Sequence, residues 1–526
     1  VTDVYHGVAV TEDYRWLEDG NDPAVRAWVA AQNEYARSIL DRLPQAAQVR
    51  EEVTAILSQE SPHYGDLQLA GGRVFAIKEQ PPKEQPFLVV LPALESPEEA
   101  RTIVDPTSLN PEGTTAIDWY HPSPDGQFVA VSLSDGGDEA GDLYLYEVDS
   151  GQQVFEMIAG VNSGTAGGSL AWTPDSLGFF YTRHFPVNPD DPEDERVYQH
   201  VYYHELGTPP AEDRYELGKG FPQIAEIQLT MDRRTGRLLA TVQNGDGGQF
   251  AHYLREPDGV WRQFSRFEDG IQQAVFGPQD DLYLVSLEDA PRGKILRVRI
   301  PDLNVETAEL VIPQGPDAII TGGEAFWGAR TVVPTPTRLY VVYQLGGPSE
   351  IRAFDHAGRS MPAPRQTAVS AVSGLLPLEG DRLLFERTSF LEPPAYYVFD
   401  PATGETRQTP LAMPPLVDLS DAEVRREFAV SKDGARVPLN IILRRGTPLD
   451  GNNPCIATGY GGYGVNIEPR YRPLCRLSLN RGVITVVANL RGGGEYGAEW
   501  HRQGNLTRKQ NVFDDFAAVL QHLIDR

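Results

Sequence analysis

Two tyrosines in a run of glycines are the residues of this 526-residue chain best placed for chemistry: Tyr460 and Tyr463, in Gly459-Tyr460-Gly461-Gly462-Tyr463-Gly464. A fixed phenol can donate a hydrogen bond to an oxygen on which negative charge develops. It can equally be a structural side chain at a strand end, and spacing alone leaves both readings open. A serine nucleophile on a sharp strand-to-helix turn is written G-x-S-x-G. The nearest run, Gly167-Gly168-Ser169-Leu170-Ala171, lacks the trailing glycine, and no other serine qualifies. Gly492-Gly493-Gly494-Glu495-Tyr496-Gly497 fits the dinucleotide pattern G-x-G-x-x-G. Its context does not fit: no helix opens at the glycines, and Asp514 and Asp515 start a helix instead of ending a strand. His200 and His204 have the four-residue spacing of zinc ligands on a helix, but Val201-Tyr202-Tyr203 between them reads as strand. No cofactor and no metal is implied. The acidic, proline-broken run 190–195 reads as a solvated loop.

The elements that position the tyrosines follow from the apolar pattern. Residues 455–457 and 483–490 are short, unalternated apolar runs closed by glycines, the pattern of strands buried on both faces of a parallel sheet. Val512, Phe513, Phe516, Leu520, Leu523 and Ile524 then recur at helical spacing. Asn511 is the expected N-cap, with Asp514 and Asp515 in the first turn, where the helix dipole favours them. Strand, loop, strand, loop, helix is part of an α/β sheet. Strand 483–490 expects helices on both faces and a further strand beside it.

The rest of the chain has a different character. Asn21-Asp22-Pro23 is a cap-plus-proline helix start, followed by Val25, Trp28, Val29 and Gln32 at helical spacing; a second helix is expected over 46–57. From about 67 to 403 a loose unit recurs as turn, strand, loop, strand. The unit around Ser123-Pro124-Asp125-Gly126 has relatives near Leu67, Ala171, Ile227, Ala274, Thr331 and Gly374. Seven units of several strands each predict a propeller. The proline-rich passage 400–421 reads as a linker, and 430–443 as a hairpin entering the sheet domain.

Composition bounds the function. A formal charge of −28 argues against nucleic acid and anionic membrane surfaces as partners. Two cysteines, Cys455 and Cys475, imply no disulfide framework. Cytoplasm is the default location, with a periplasmic or secreted fate left open because the chain starts at Val1 rather than Met.

The motifs at 459–463, Asn489-Leu490-Arg491-Gly492-Gly493-Gly494-Glu495-Tyr496-Gly497, Trp500-His501 and Lys509-Gln510-Asn511-Val512-Phe513-Asp514-Asp515-Phe516 resemble, in order, those of the prolyl oligopeptidase family. Tyr5-His6-Gly7, Tyr14 to Asp19, Trp28-Val29 and Gln32-Asn33 resemble its N-terminal segment, with Asp13 where the family usually has proline. The resemblance implies an α/β-hydrolase domain, discontinuous and incomplete at its C-terminal side within 1–526, with an inserted seven-bladed β-propeller. The expected domains are 1–66, the N-terminal helical part of the hydrolase domain; 67–410, the propeller; and 411–526, the first part of the hydrolase sheet. It implies a serine endopeptidase cutting short proline-containing peptides after proline through an acyl-serine, the propeller acting as a size filter. Tyr460 would be the oxyanion donor. Tyr463 would line the proline pocket where the family usually has phenylalanine. Gly167 stands where the family often has an aromatic that binds substrate further from the cut bond. The serine, aspartate and histidine of the triad are expected outside 1–526, so these residues alone should be inactive, and a second polypeptide carrying the rest of the domain is a candidate partner. The resemblance also implies that the strand missing beside 483–490 is the nucleophile strand, which would leave 483–490 as an open apolar edge. Two alternatives are a catalytically lost pseudo-peptidase that binds peptides, and a related oligopeptidase preferring basic residues.

Overall fold

A computed structural model describes residues 1–154, 157–164, 166–185, 198–245, 248–320 and 330–526; the acidic run 190–195 lies outside them. Residues Val1–Gln59 form one compact unit and Glu60–Arg526 another. The first unit holds a hairpin of Thr2–Tyr5 with Val8–Thr11, then helices Pro23–Leu40 and Ala46–Leu57. The Asp22 carboxylate accepts the Ala24 N–H at 2.7 Å, so the cap-plus-proline start forms as expected.

The second unit begins with seven antiparallel sheets, each built from one contiguous stretch: 63–104, 115–147, 170–217, 225–265, 271–312, 318–361 and 370–412. All seven sequence units fall on them. Five of these sheets have four strands. The second has three, extended by bridges Leu143–Ile158 and Tyr146–Gln153. In the sixth, Ala318–Ile319 and Val332–Pro334 both pair with Leu339–Gln344. The recurring turn has a physical basis. Ser123 Oγ donates to the Asp125 carboxylate at 2.6 Å and accepts the Phe128 N–H at 3.0 Å. Thr173 and Asp175 repeat the first of these bonds one blade later.

Seven apolar clusters each join two consecutive blades. The seventh joint puts Tyr64, Leu67 and Val89 of the first blade against Leu376, Leu384 and Val398 of the last, closing a seven-bladed propeller. No strand is exchanged there: the seam is side-chain packing, with Arg407–Glu95 at 2.9 Å and His63–Glu386 at 3.5 Å across it. Pro410, read as linker, lies in the outermost strand of the last blade, Glu405–Ala412, where a missing N–H is tolerated.

A mixed sheet follows, the first part of the α/β-hydrolase fold. Its order is Ala422–Val430, Arg436–Arg444, Ile484–Ala488, Cys455–Gly459. The hairpin is antiparallel in nine residue pairs. Cys455–Gly459 runs parallel to Ile484–Ala488, in register from Cys455–Ile484 to Gly459–Ala488. Helix Gln510–Asp525 covers one face, Val512 and Val519 packing on Ala429, Leu439, Ile441 and Val486. Three expectations are corrected here. Strand Ile484–Ala488 is inserted between two others and lacks no neighbour. The sheet's edges are Ala422–Val430 and Cys455–Gly459, and the second, with one neighbour, leaves Ile456 58 % exposed. Burial on both faces therefore holds for 484–488 and fails for 455–459. Asn511 is also not the N-cap. The helix starts at Gln510, and the Asn511 side chain donates to the Gln503 carbonyl at 2.8 Å.

Candidate active site

Tyr460 follows the C-terminal end of Cys455–Gly459, the position where open α/β sheets bind ligands. It is 51 % exposed, and Tyr463 is 77 % exposed. Tyr463 has φ +53°, in the left-handed region that side chains other than glycine enter rarely. The turn is held by close approach. Gly461 has φ +64°, and a Cβ there would lie 2.6 Å from Val512 Cγ1. Gly464 N–H donates to the Gly492 carbonyl at 3.0 Å, and Val465 N–H to the Gly462 carbonyl at 3.0 Å. Lys509 Nζ donates to the Gly461 carbonyl at 2.6 Å.

Beneath the turn lies a charged network. The Arg491 guanidinium is buried; it donates to Asp515 at 2.6 and 2.9 Å and to Asp433 at 2.5 and 3.0 Å. Asp515 is fully buried and also accepts the Arg491 N–H at 3.1 Å. Hydrogen bonding to the two carboxylates outweighs burial and raises the Arg491 pKa further, while its guanidinium holds Asp433 below the usual carboxylate range. Asp515, expected in the helix dipole's field, instead pins the helix to Arg491 in the loop that follows Ile484–Ala488. Beside it, Asn489 accepts from Asn440 at 3.1 Å and donates to the Ile467 carbonyl at 2.7 Å. Glu495 accepts the Ile467 N–H at 3.1 Å.

The glycine-rich loop after 484–488 holds no nucleotide-binding helix start. The helix that follows, Ala498–Arg502, is five residues long. Trp500 Nε1 donates to the Leu490 carbonyl at 3.1 Å, and His501 Nδ1 to the Gly492 carbonyl at 2.8 Å. The outer side of the loop meets the propeller: Gly346 N–H donates to the Glu495 carbonyl at 3.1 Å, and Ala498 N–H to the Pro291 carbonyl at 2.8 Å. Arg426 clamps the same place, donating to the Leu345 and Gly346 carbonyls at 2.6 and 2.8 Å.

The other candidates are structural. Ser169 is buried and accepts the Leu229 N–H at 2.9 Å, linking two blades. His204 pairs with Asp213 at 2.6 Å inside the third blade. Among the described residues no group of His, Cys, Asp and Glu could hold a metal, and no helix is long and apolar enough to cross a membrane. Both cysteines are free.

The profile described as "Prolyl oligopeptidase, N-terminal beta-propeller domain" matches residues 1–410, and that of the "Prolyl oligopeptidase family" matches 471–526. The chain belongs to the prolyl oligopeptidase family. Relatives within it include a prolyl endopeptidase of Elizabethkingia meningoseptica, 26 % identical over 99 % of this chain and 71 % of that protein. Prolyl oligopeptidase A of Galerina marginata is also 26 % identical, over 98 % of this chain and 72 % of its own length. A structure from a study of two prolyl endopeptidases and their inter-domain dynamics superposes with TM-score 0.87 at 28 % identity, covering all of this chain and 75 % of that one. Arg491, Asp515 and Lys509 lie inside the family motifs. Within those motifs nothing local in the sequence marks Arg491 or Lys509 for a role, because their partners are distant in the chain.

Proposed function

We propose that this protein is a prolyl oligopeptidase-type serine endopeptidase that cleaves short peptides after proline through an acyl-enzyme. In this reading Tyr460 donates its hydroxyl to the oxyanion, and Tyr463 lines the proline pocket, where a flat ring suits a pyrrolidine. The observation that carries it is the half-exposed Tyr460 at the C-terminal end of a parallel strand, on a turn braced by Gly461, Gly492 and Lys509. The proposal puts the triad outside 1–526, and these residues alone are expected to turn over no prolyl peptide. It also takes 1–66 and 411–526 as parts of the hydrolase domain and 67–410 as the propeller. Strands His63–Ala70 and Glu405–Ala412 straddle the two propeller limits.

The test is Tyr460→Phe in the full-length enzyme. Loss of one oxyanion donor is expected to lower kcat about 10²–10³-fold and leave KM in place. A raised KM with unchanged kcat would make Tyr460 a binding residue instead. Profiling the full-length enzyme on peptides with proline or arginine before the cut bond checks specificity, and a preference for arginine would overturn the proline reading. No turnover of either would favour a peptide-binding pseudo-peptidase.

A further inference from the structure

We propose that Lys509 is a positioning residue for this site: its ammonium group holds the Gly461 carbonyl and so sets where the Tyr460 turn presents its hydroxyl. This rests on the reading of Tyr460 as the oxyanion donor.

The chain carries 74 acidic residues against 46 lysines and arginines, so an exposed lysine has carboxylates in abundance to choose from. Among the described residues the Lys509 side chain forms no ion pair, and its one hydrogen bond is to a backbone carbonyl 48 positions away, at 2.6 Å. It comes directly before helix Gln510–Asp525. That helix is fixed to the sheet by Val512 and Val519 and by the Arg491–Asp515 pair. The ammonium is thus anchored to a rigid element.

Its target has nowhere else to go. A Cβ on Gly461 would lie 2.6 Å from Val512 Cγ1 and 2.7 Å from the Arg491 carbonyl oxygen. Gly492 sits so close that a Cβ there would run into the Gly461 oxygen. The carbonyl therefore has Gly492 on one side and Lys509 on another. Because a peptide unit is planar, fixing that carbonyl also fixes the Gly462 N–H and both flanking Cα atoms. Tyr460 and Lys509 flank the same point. A Cβ on Gly462 would be 3.6 Å from the Tyr460 ring and 3.7 Å from Lys509 Nζ. Among the described residues nothing hydrogen-bonds the Tyr460 hydroxyl, so its place is set by the path of the turn and by the ring lying against Gly462. Oxyanion donors act over a narrow range of distances, and small displacements at a reacting centre are costly.

The test is a cycle in the full-length enzyme: parent, Tyr460→Phe, Lys509→Met and the double variant, assayed on a chromogenic prolyl peptide. Lys509→Met is expected to lower kcat about tenfold with KM within about twofold, and Lys509→Arg to restore most of the loss. In the Tyr460→Phe background Lys509→Met is expected to change kcat less than about twofold, because the group it positions is gone. An unchanged kcat in Lys509→Met, beside a damaged Tyr460→Phe, overturns the proposal while leaving the role of Tyr460 standing. Equal losses in both backgrounds, or an effect on KM alone, also overturn it. If Tyr460→Phe keeps full kcat, the oxyanion reading fails and this proposal falls with it. Should Lys509→Met not fold, Lys509→Leu, which also removes the donor to the Gly461 carbonyl, carries the same cycle with the same criteria.

Discussion

Every blade of the propeller has a partner on each face, and the seven joints are alike: apolar side chains such as Phe75, Val129, Leu282 and Phe385 meeting their neighbours. The mixed sheet beside it is built differently. Its edge strand Cys455–Gly459 pairs on one side only, and much of what lies beneath the Tyr460 turn is charged or polar: Arg491, Asp515, Asn440, Asn489 and Glu495, all buried. The propeller spreads its cohesion over many equivalent contacts. The sheet adds to its apolar core a single charged and polar network, directly under the residue proposed to act on substrate. Buried polar groups of this kind demand that each partner be present. In return they fix a backbone path more narrowly than apolar packing does. An open apolar edge is also where a sheet frays or recruits another strand.

The largest test of this contrast is Arg491→Met. It leaves Asp515 buried without its partner, and is expected to cost about 3–5 kcal/mol. Amide exchange should accelerate across 422–526 while the blades keep their protection. Loss of protection spread evenly over both regions would break the comparison. Even without the substitution, the mixed sheet of residues 1–526 is expected to exchange before the propeller.

Next is the propeller seam. Burial opposes charge on His63, but the carboxylates of Glu386 at 3.5 Å and Glu79 at 3.9 Å outweigh it and raise its pKa to about 9. The folded value lies above the unfolded one, near 6.5. The contribution is therefore complete below pH 6.5 and is lost as pH rises through about 9. Unfolding free energies from denaturant titrations at pH 6 and pH 9.5 should differ by roughly 2–3 kcal/mol more in the parent than in His63→Gln. Parallel pH profiles for the two proteins would show that the seam holds without this ion pair. The smallest effect is expected for Arg407→Ala. It removes an exposed pair with Glu95 across the same seam and should cost below about 1 kcal/mol by thermal unfolding. A larger loss would mean that charge, rather than packing, closes the ring.

How much could be read in advance follows the same division. The blades were legible because each is local. A Ser or Thr with an Asp two residues on writes its own turn, as at Ser123 and Thr173, and the strands on either side pair with each other. The hydrolase sheet was legible as strands but not as an order. Apolarity on both faces of 484–488 says that the strand is central without saying which strands flank it, and the open edge was assigned to the wrong one. Tyr460 was found through its motif. Lys509 and Arg491 act on groups 48 and 24 residues away, so no local pattern displays their roles. Asn511 looked like a cap because its type suits one, yet its side chain serves the loop at Gln503.

The seam between the first and last blades has a kinetic side. Six of the seven joints link stretches adjacent in the chain, so they can form in order as the polypeptide is made. The seventh must bring together residues as far apart as Glu95 and Arg407, 312 positions in sequence. In a flexible chain, closing so long a loop costs on the order of 5 kcal/mol in entropy. With six joints already set, the two ends arrive almost side by side and most of that cost has been met in small steps. Completion of the ring is thus the natural last event of propeller folding. Because no strand is shared across the seam, a circular permutant of the propeller alone, residues 63–412 with those ends joined and a different joint opened, would keep all seven blade sheets intact and change only which joint closes last.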